Sequence, residues 1–238
     1  MSANEPVERT WVVRDARDEA PGVRSLYLQA VGERPRFIAG QYLTVRLPGY
    51  EPVEGKSYSI SSAEDDAQVR LTVKEAGPFS RAILAKRPGD LLRTSAPYGF
   101  FYPERDAMSD LVFIAGGIGV TPAMGIIETL LNDGYAGSVT LFYSNKTEAD
   151  IAFRARLESL AAMHERFTLR NNVTREHPRD PSYEVGRLSG SSIVRSLSGS
   201  PTAADYFVSG SIDFTRTLWK ELRHEGVPQS SIYTEGFY

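Results

Sequence analysis

Residues Leu111–Met124 read LVFIAGGIGVTPAM. Leu111–Ala115 is an apolar run with no polar alternation, and it stops at glycine. That is the pattern of a strand buried on both faces of a parallel sheet. Gly116, Gly117 and Gly119 follow, then Thr121 and Pro122. Thr121 suits a helix N-cap and Pro122 the first helical position, where a missing N–H costs nothing. The stretch therefore predicts a strand, a tight turn and a helix N-terminus. Two readings of the turn stand open. The glycines can serve chain geometry alone, or they can let backbone amides approach a phosphate at the positive end of a helix dipole. The spacing departs from the G-x-G-x-x-G fingerprint.

Downstream, strands and helices alternate. Strands fit Leu111–Ala115, Val139–Ser144, Phe167–Asn172, Tyr206–Ser209 and Ser231–Thr234. Helices fit Pro122–Asn132, Glu148–Met163, Ser191–Leu197 and Phe214–Glu225. This is a βαβ pattern, and it predicts a parallel sheet whose ligands lie beyond the carboxyl ends of the strands. At the second strand's end stand Ser144, Asn145 and Lys146, and Thr174-Arg175 ends the next. Hydroxyls and cations suit a 2′-phosphate better than a free ribose hydroxyl. The alternative is that Lys146 and Arg175 are ordinary solvated charges.

Upstream, residues 8–100 read as β. Segments recur at Thr10–Arg14, Val23–Gln29, Gln41–Leu47, Ser57–Ser61, Val69–Lys74 and Leu91–Ser95, separated by Gly, Pro and Asp. They predict a six-stranded antiparallel barrel, with a short helix over Phe79–Ala85. Alternation places Lys56, Tyr58 and Ile60 on one strand face and Ser57, Ser59 and Ser61 on the other. That is either a half-buried strand with a polar face or a surface for a flat, phosphorylated ligand. Gly77-Pro78-Phe79-Ser80 is either a plain turn or a second anion site. The composition shift at Tyr102–Asp110 sets the expected domains at 1–105 and 106–238.

Composition narrows the function classes. A net charge of -3 argues against nucleic acid as a partner. No apolar run approaches membrane-helix length, and MSANEPVERT has no apolar signal core, so the expected location is cytoplasmic without a membrane partner. Cysteine is absent, so this chain carries no disulfide, thiolate nucleophile or cysteine-ligated iron–sulfur cluster. His164, His177 and His224 are scattered without ligand spacing, and no metal is expected.

Taken together, the two halves resemble the ferredoxin–NADP reductase superfamily, from about Val7 to Tyr238. Lys56-Ser57-Tyr58-Ser59 looks like the family's R-x-Y-[ST] motif, and Gly77-Pro78-Phe79-Ser80 like its G-x-x-S motif. Gly89-Asp90 with Pro97-Tyr98-Gly99-Phe100 resembles the G-D…P-x-G-x-F that closes the barrel. Gly116-Gly117-Ile118-Gly119-Val120-Thr121-Pro122 matches G-G-x-G-x-T-P in full. Ser209-Gly210-Ser211 matches the family's C-G-P or C-G-S in part.

The resemblance implies FAD as cofactor, with NADPH or NADH as the second nucleotide. It puts Tyr58 against the flavin ring, Ser59 near flavin N5, and Lys56 with the Gly77–Ser80 amides on the pyrophosphate. It places backbone of Val73 and Lys74 against the flavin. It assigns Gly116 to Pro122 to the nicotinamide nucleotide, with Thr121 near the nicotinamide and Ser209–Ser211 on its other side. Tyr58, Ser59 and Ser209 are thus the candidate catalytic residues. The nucleotide-binding set is completed by Ser144, Asn145, Lys146 and Arg175. Tyr238 or Phe237 is expected either to cover the flavin face or to anchor a terminal strand. Two positions depart from the family. Lys56 keeps the charge of an arginine but lacks its planar fork, which leaves FMN open beside FAD. Ser209 stands where the family has cysteine. The implied activity is hydride transfer between NAD(P)H and flavin, with single electrons passed to or from a separate carrier, a ferredoxin or an oxygenase component. The alternatives are a reductase of free flavin or small acceptors, and a non-catalytic flavin- or nucleotide-binding subunit of a redox complex.

Overall fold

The computed structural model describes residues 8–104, 109–197 and 199–237. Its chain divides into two compact units, Met1–Tyr102 with Met124–Thr129, and Pro103–Ala123 with Leu130–Tyr238.

The first unit holds β1 (Arg9–Ala20), β2 (Val23–Ala30), β3 (Tyr42–Arg46), β4 (Lys56–Ser59), β5 (Val69–Lys74), α1 (Pro78–Leu84) and β6 (Leu91–Thr94). The strands form one antiparallel sheet in the order β4-β3-β6-β1-β2-β5. Its two end strands meet just past Ser59, where Ile60 bridges Leu71 and Ser61 N–H donates to Arg70 O at 2.8 Å. That bridge closes the sheet into a barrel. Trp11, Leu26, Leu28, Leu43, Ile60, Leu71 and Ile83 are buried inside it. Each such side chain contributes roughly 1.5–3 kcal/mol by leaving water. Trp11 Nε1 donates to Thr94 Oγ1 at 2.8 Å, so the largest core side chain leaves no orphaned donor.

Two expectations change here. β1 runs to Ala20 rather than ending at Arg14. Its second half pairs with β2 across two register shifts, and the charged RDARDEA sequence carries no apolar period to announce a strand. The alternation over Lys56–Ser61 ends at Ser59. Ser59, Ile60, Ser61 and Ser62 are all buried in succession, because the chain leaves the β4 ladder and turns inward.

The second unit's sheet is parallel, with β7 (Asp110–Gly116), β8 (Val139–Asn145), β9 (Phe167–Val173), β10 (Glu184–Val185), β11 (Ala204–Ser211) and β12 (Ile232–Phe237). The order is β10-β9-β8-β7-β11-β12. The helices are α2 (Val120–Asn132), α3 (Arg154–Met163), α4 (Gly190–Ser196) and α5 (Ile212–His224). Val112, Ile114, Tyr206 and Val208 alternate on one sheet face and meet Ile193 of α4 and Leu218 and Leu222 of α5.

Thr121 is not the helix cap. A 3₁₀ turn at Gly117–Gly119 runs into α2 at Val120, and Thr121 Oγ1 donates back to Ile118 O at 3.0 Å. Pro122 accordingly sits inside the first turn, beyond the first helical position. The helix expected over Glu148–Met163 is two pieces, a 3₁₀ turn at Glu148–Asp150 and α3. Phe153 separates them with φ at 59°, a left-handed conformation that no helix continues through. β10 was not anticipated, since two residues carry no period. Among the described residues no helix is long and apolar enough to cross a membrane.

Candidate functional site

In the second unit the chain steps outward from β7 through β8, β9 and β10, then returns to place β11 on the other side of β7. The sheet's strand order therefore reverses between β7 and β11, and open α/β sheets bind ligands beyond the strand ends at such a point. Gly116–Gly119 leaves β7 there, and Ser209–Ser211 ends β11 there. The two segments touch. Ser209 Oγ donates to Gly119 O at 2.6 Å, with Ser209 fully buried. A Cβ on Gly119 would lie 2.4 Å from Ser209 O and 2.6 Å from Gly210 N, so only glycine fits. Gly117 takes φ +54°, and nothing lies within 4 Å of where its Cβ would be. The turn thus presents backbone to open space, the cradle that an approaching phosphate needs. Gly116 and Gly210 both pack on the ring of Phe214 in α5. Ile118 is half-buried, and Thr121 and Pro122 are buried behind the turn.

At the neighbouring strand ends, Thr174 N–H donates to Asn145 O at 3.0 Å and Arg175 N–H to Lys146 O at 2.9 Å. Ser144, Asn145, Lys146 and Arg175 are therefore brought into one corner, with Lys146 and Arg175 exposed. Asn145 is buried, and both polar atoms of its amide lack a hydrogen bond among the described residues. An orphaned buried amide is the kind of group that a ligand or an ordered water satisfies.

The same corner holds residues that no spacing pointed to. Glu148 Oε1 accepts the backbone N–H groups of Arg179 and Asp180, and its other oxygen takes Arg154 Nη1 at 3.0 Å. Glu176 accepts the backbone N–H of Glu148. The N–H of Arg179 is the largest influence on the Glu148 carboxyl; burial, next in size, opposes it, and the Arg154 guanidinium and the N–H of Asp180 help to hold the carboxyl below the usual carboxylate range. Arg154 also reaches Glu158 at 2.9 Å and lies over the Tyr183 ring, and Tyr183 Oη donates to Glu158 at 2.7 Å. Burial, then the Glu158 carboxylate, raise the Tyr183 phenol. Glu148, Arg154, Glu176, His177 and Arg179 line a cavity of about 330 Å³. Two acids thus share a corner that the strand-end residues alone describe as cationic.

In the first unit, two motifs far apart in sequence meet. Lys56 Nζ sits 5.8 Å from the ring centroid of Phe79, which also takes the edge of Tyr50 at 6.3 Å. Ser57 Oγ pairs with Thr44 Oγ1 at 3.1 Å on the exposed side of the strand. Tyr58 is half-buried against the barrel core, and burial pushes its phenol up to about 12. Ser59 is buried. Gly77 caps α1 with φ 147°, followed by Pro78 at the helix start, and the space beyond its Cβ position is open. Ser80 Oγ is committed inside that turn, accepting Ala76 N–H at 2.8 Å and donating to Gly77 O at 3.0 Å. Val73 is buried and Lys74 exposed at the end of β5, where they pair with Arg24 and Val23.

At the end of the chain, Phe237 pairs with Ser211 at the close of β12, and Tyr233 stacks on Phe207 with centroids 4.6 Å apart. Tyr238 lies outside the described residues, as does the expected domain boundary at 105–106.

Residues 113–219 match the family described as oxidoreductase NAD-binding domain. A ferredoxin–NADP reductase B of Sorangium cellulosum is 30% identical over 247 residues, covering 100% of both chains. A flavohemoprotein of Halalkalibacterium halodurans is 27% identical over 245 residues, covering 96% of this chain. This chain spans only 59% of that flavohemoprotein's length. Among solved structures, the flavohem-like FAD/NAD binding domain of a nitric oxide dioxygenase from Vibrio cholerae superposes with a TM-score of 0.86 at 26% identity, covering 96% of this chain and 98% of that one. With a full-length relative at 30% identity and the motifs in the family's order, the chain belongs to the ferredoxin–NADP reductase superfamily.

Proposed function

We propose that this protein transfers hydride between NAD(P)H and bound FAD, and exchanges single electrons with a separate carrier protein, a ferredoxin or an oxygenase component. On this reading residues 1–105 are the flavin-binding domain and 106–238 the nicotinamide-nucleotide domain. The observation that carries it is the meeting of Lys56–Ser59 with Gly77–Ser80 through Lys56 and Phe79, which turns two separate motifs into one surface with a cation at its rim. When bound, the flavin supplies the two-electron to one-electron conversion; the protein supplies position and electrostatics. Lys56 offers a positive charge to the pyrophosphate. The Tyr58 phenol keeps its proton throughout the physiological range, so it offers the flavin a neutral ring and a hydroxyl. Gly117 and Gly119 let backbone come close to the second nucleotide's phosphates. Ser209 acts from beneath, holding the turn by its bond to Gly119 O. With no cysteine, these 238 residues hold no cysteine-ligated iron–sulfur cluster of their own. The full-length likeness to a ferredoxin–NADP reductase supports a ferredoxin as that carrier.

The test is the visible spectrum of the purified protein, followed by NADPH or NADH added without oxygen. We expect a flavin spectrum that bleaches, with the faster nucleotide naming the coenzyme. Bound flavin that neither nucleotide bleaches would move the protein to the non-catalytic subunit reading.

A further inference from the structure

The strand that carries Tyr58 and Ser59 leaves its ladder at Ser59, and the residues that follow are gripped by one arginine. Arg70 N–H donates to Ser62 Oγ at 3.1 Å, and Arg70 O accepts Ser61 N–H at 2.8 Å. Its guanidinium donates from Nε to Ser61 Oγ at 3.3 Å and from Nη2 to the Ser61 carbonyl. The same Nη2 reaches Glu128 Oε2 at 2.7 Å. Arg70 is 8% exposed and Glu128 4%.

The hydroxyls beyond Ser61 extend this grip. Ser25 Oγ donates to Glu19 Oε1 at 2.6 Å. A hydroxyl has one proton to give, so Thr72 donates to Ser25 at 2.7 Å. Thr72 Oγ1 also lies 2.8 Å from Ser61 Oγ. Ser61 Oγ donates to Arg70 O at 3.1 Å and accepts from Arg70 Nε, so arginine and serine hold each other from both sides.

Helix α2 completes the arrangement within the first unit, to which its Met124–Thr129 stretch belongs. A Cβ on Gly125 would lie 2.7 Å from Ser62 O and 3.0 Å from Ile60 O, so the helix backbone rests directly on the Ile60–Ser62 segment. Glu128 follows one turn later on the same face. Stability alone does not call for this design. Two buried charges carry a desolvation cost that apolar side chains of similar volume would avoid. What the guanidinium adds is a rigid fork of donors aimed at a carbonyl and a hydroxyl in a segment that has no ladder.

We propose that Arg70 is a positioning residue for the Tyr58–Ser59 part of the flavin site, acting through Ser61 and Ser62, with Glu128 orienting its guanidinium. The proposal rests on the flavin reading above, and its test has one readout that needs no flavin. In flavin-free protein, Glu128→Gln is expected to lower hydrogen-exchange protection of the Ser59–Ser61 amides about tenfold, leaving the β1–β2 ladder unchanged. In the presence of FAD, the same variant is expected to raise the FAD Kd about tenfold and alter the visible circular dichroism of the bound flavin, with Glu128→Asp restoring part of both. The double variant Arg70→Met with Glu128→Leu removes both charges and keeps the volume. It should hold or raise Tm while losing protection and FAD affinity, an outcome that a purely structural pair would not produce. Unchanged protection in Glu128→Gln overturns the proposal. If Glu128→Gln does not fold, wild-type protection in the double variant overturns it instead. A wild-type protein that takes up no FAD overturns the flavin reading, and the exchange measurement still decides the role of Arg70.

Discussion

Ser209 gains a structural part once its surroundings are known. The family resemblance places it beside the nicotinamide, whereas its hydroxyl is fully buried and bonded to Gly119 O at 2.6 Å. Serine there ties the end of β11 to the glycine turn. Ser209→Ala removes that buried bond, and we expect a loss of about 1 kcal/mol in denaturant melts. On the proposed assignment of the turn to the nicotinamide nucleotide, KM for that nucleotide should rise while flavin content stays the same. Steady-state kinetics on the flavin-loaded variant check the second part, and an unchanged KM would count against Ser209 as the turn's support. Lys56, Tyr58, Ser59 and the Gly116–Pro122 run were legible as a candidate site because each falls in a short contiguous motif. Arg70 and Glu128 were not, since 58 positions separate them and neither neighbourhood has a pattern of its own.

Elements show where local signals suffice. α5 was readable from Phe214, Leu218 and Leu222, whose spacing is that of one helix face, and the helix forms over Ile212–His224. The Glu148–Met163 stretch predicts one helix, and the chain forms a 3₁₀ turn and α3 instead. Apolar and charged residues are interspersed along the stretch, and nothing in that pattern marks the break at Phe153, which is buried with left-handed backbone. The 3₁₀ turn at its start carries Glu148, which clasps the loop through the N–H groups of Arg179 and Asp180. Hydrogen bonds to the charged carboxylate depress its folded pKa below 4.5. The clasp is therefore fully present above that unfolded value and is lost as pH falls through the lower folded one. Amide protection of Arg179 and Asp180, corrected for intrinsic exchange, should decline at acid pH in the wild type. In Glu148→Ala it should be low at every pH. Equal protection in the two proteins at neutral pH would show that the loop holds without the clasp.

For the molecule as a whole, the proposal of a bound flavin has a thermodynamic consequence. A ligand that binds only the folded state adds RT ln(1 + [L]/Kd) to stability, about 2.7 kcal/mol at a hundredfold excess over Kd. We expect FAD to raise Tm in proportion to the logarithm of its concentration, and FMN to do so less if the adenosine half is also held. Equal shifts with the two flavins would place recognition at the ring and first phosphate alone. Calorimetry that resolves two transitions would show which unit takes up the stabilisation, the first being the one with Lys56 and Gly77.

The sequence by itself determined the order of the architecture: six short strands, then alternating strands and helices, with the glycine turn at the first parallel strand's end. Those features are local, set by side-chain period, by glycine and proline, and by motifs of four to seven residues. Only the tertiary structure decided which strand ends lie together, that Ser209 faces inward to Gly119, and that Glu148 enters a corner described by its cations. It alone decided that the buried Arg70 reaches both Ser61, just past β4, and Glu128 of α2. The reason is physical. Hydrogen bonds and ion pairs between distant segments depend on direction and burial, and neither is encoded in the spacing of residues along a chain.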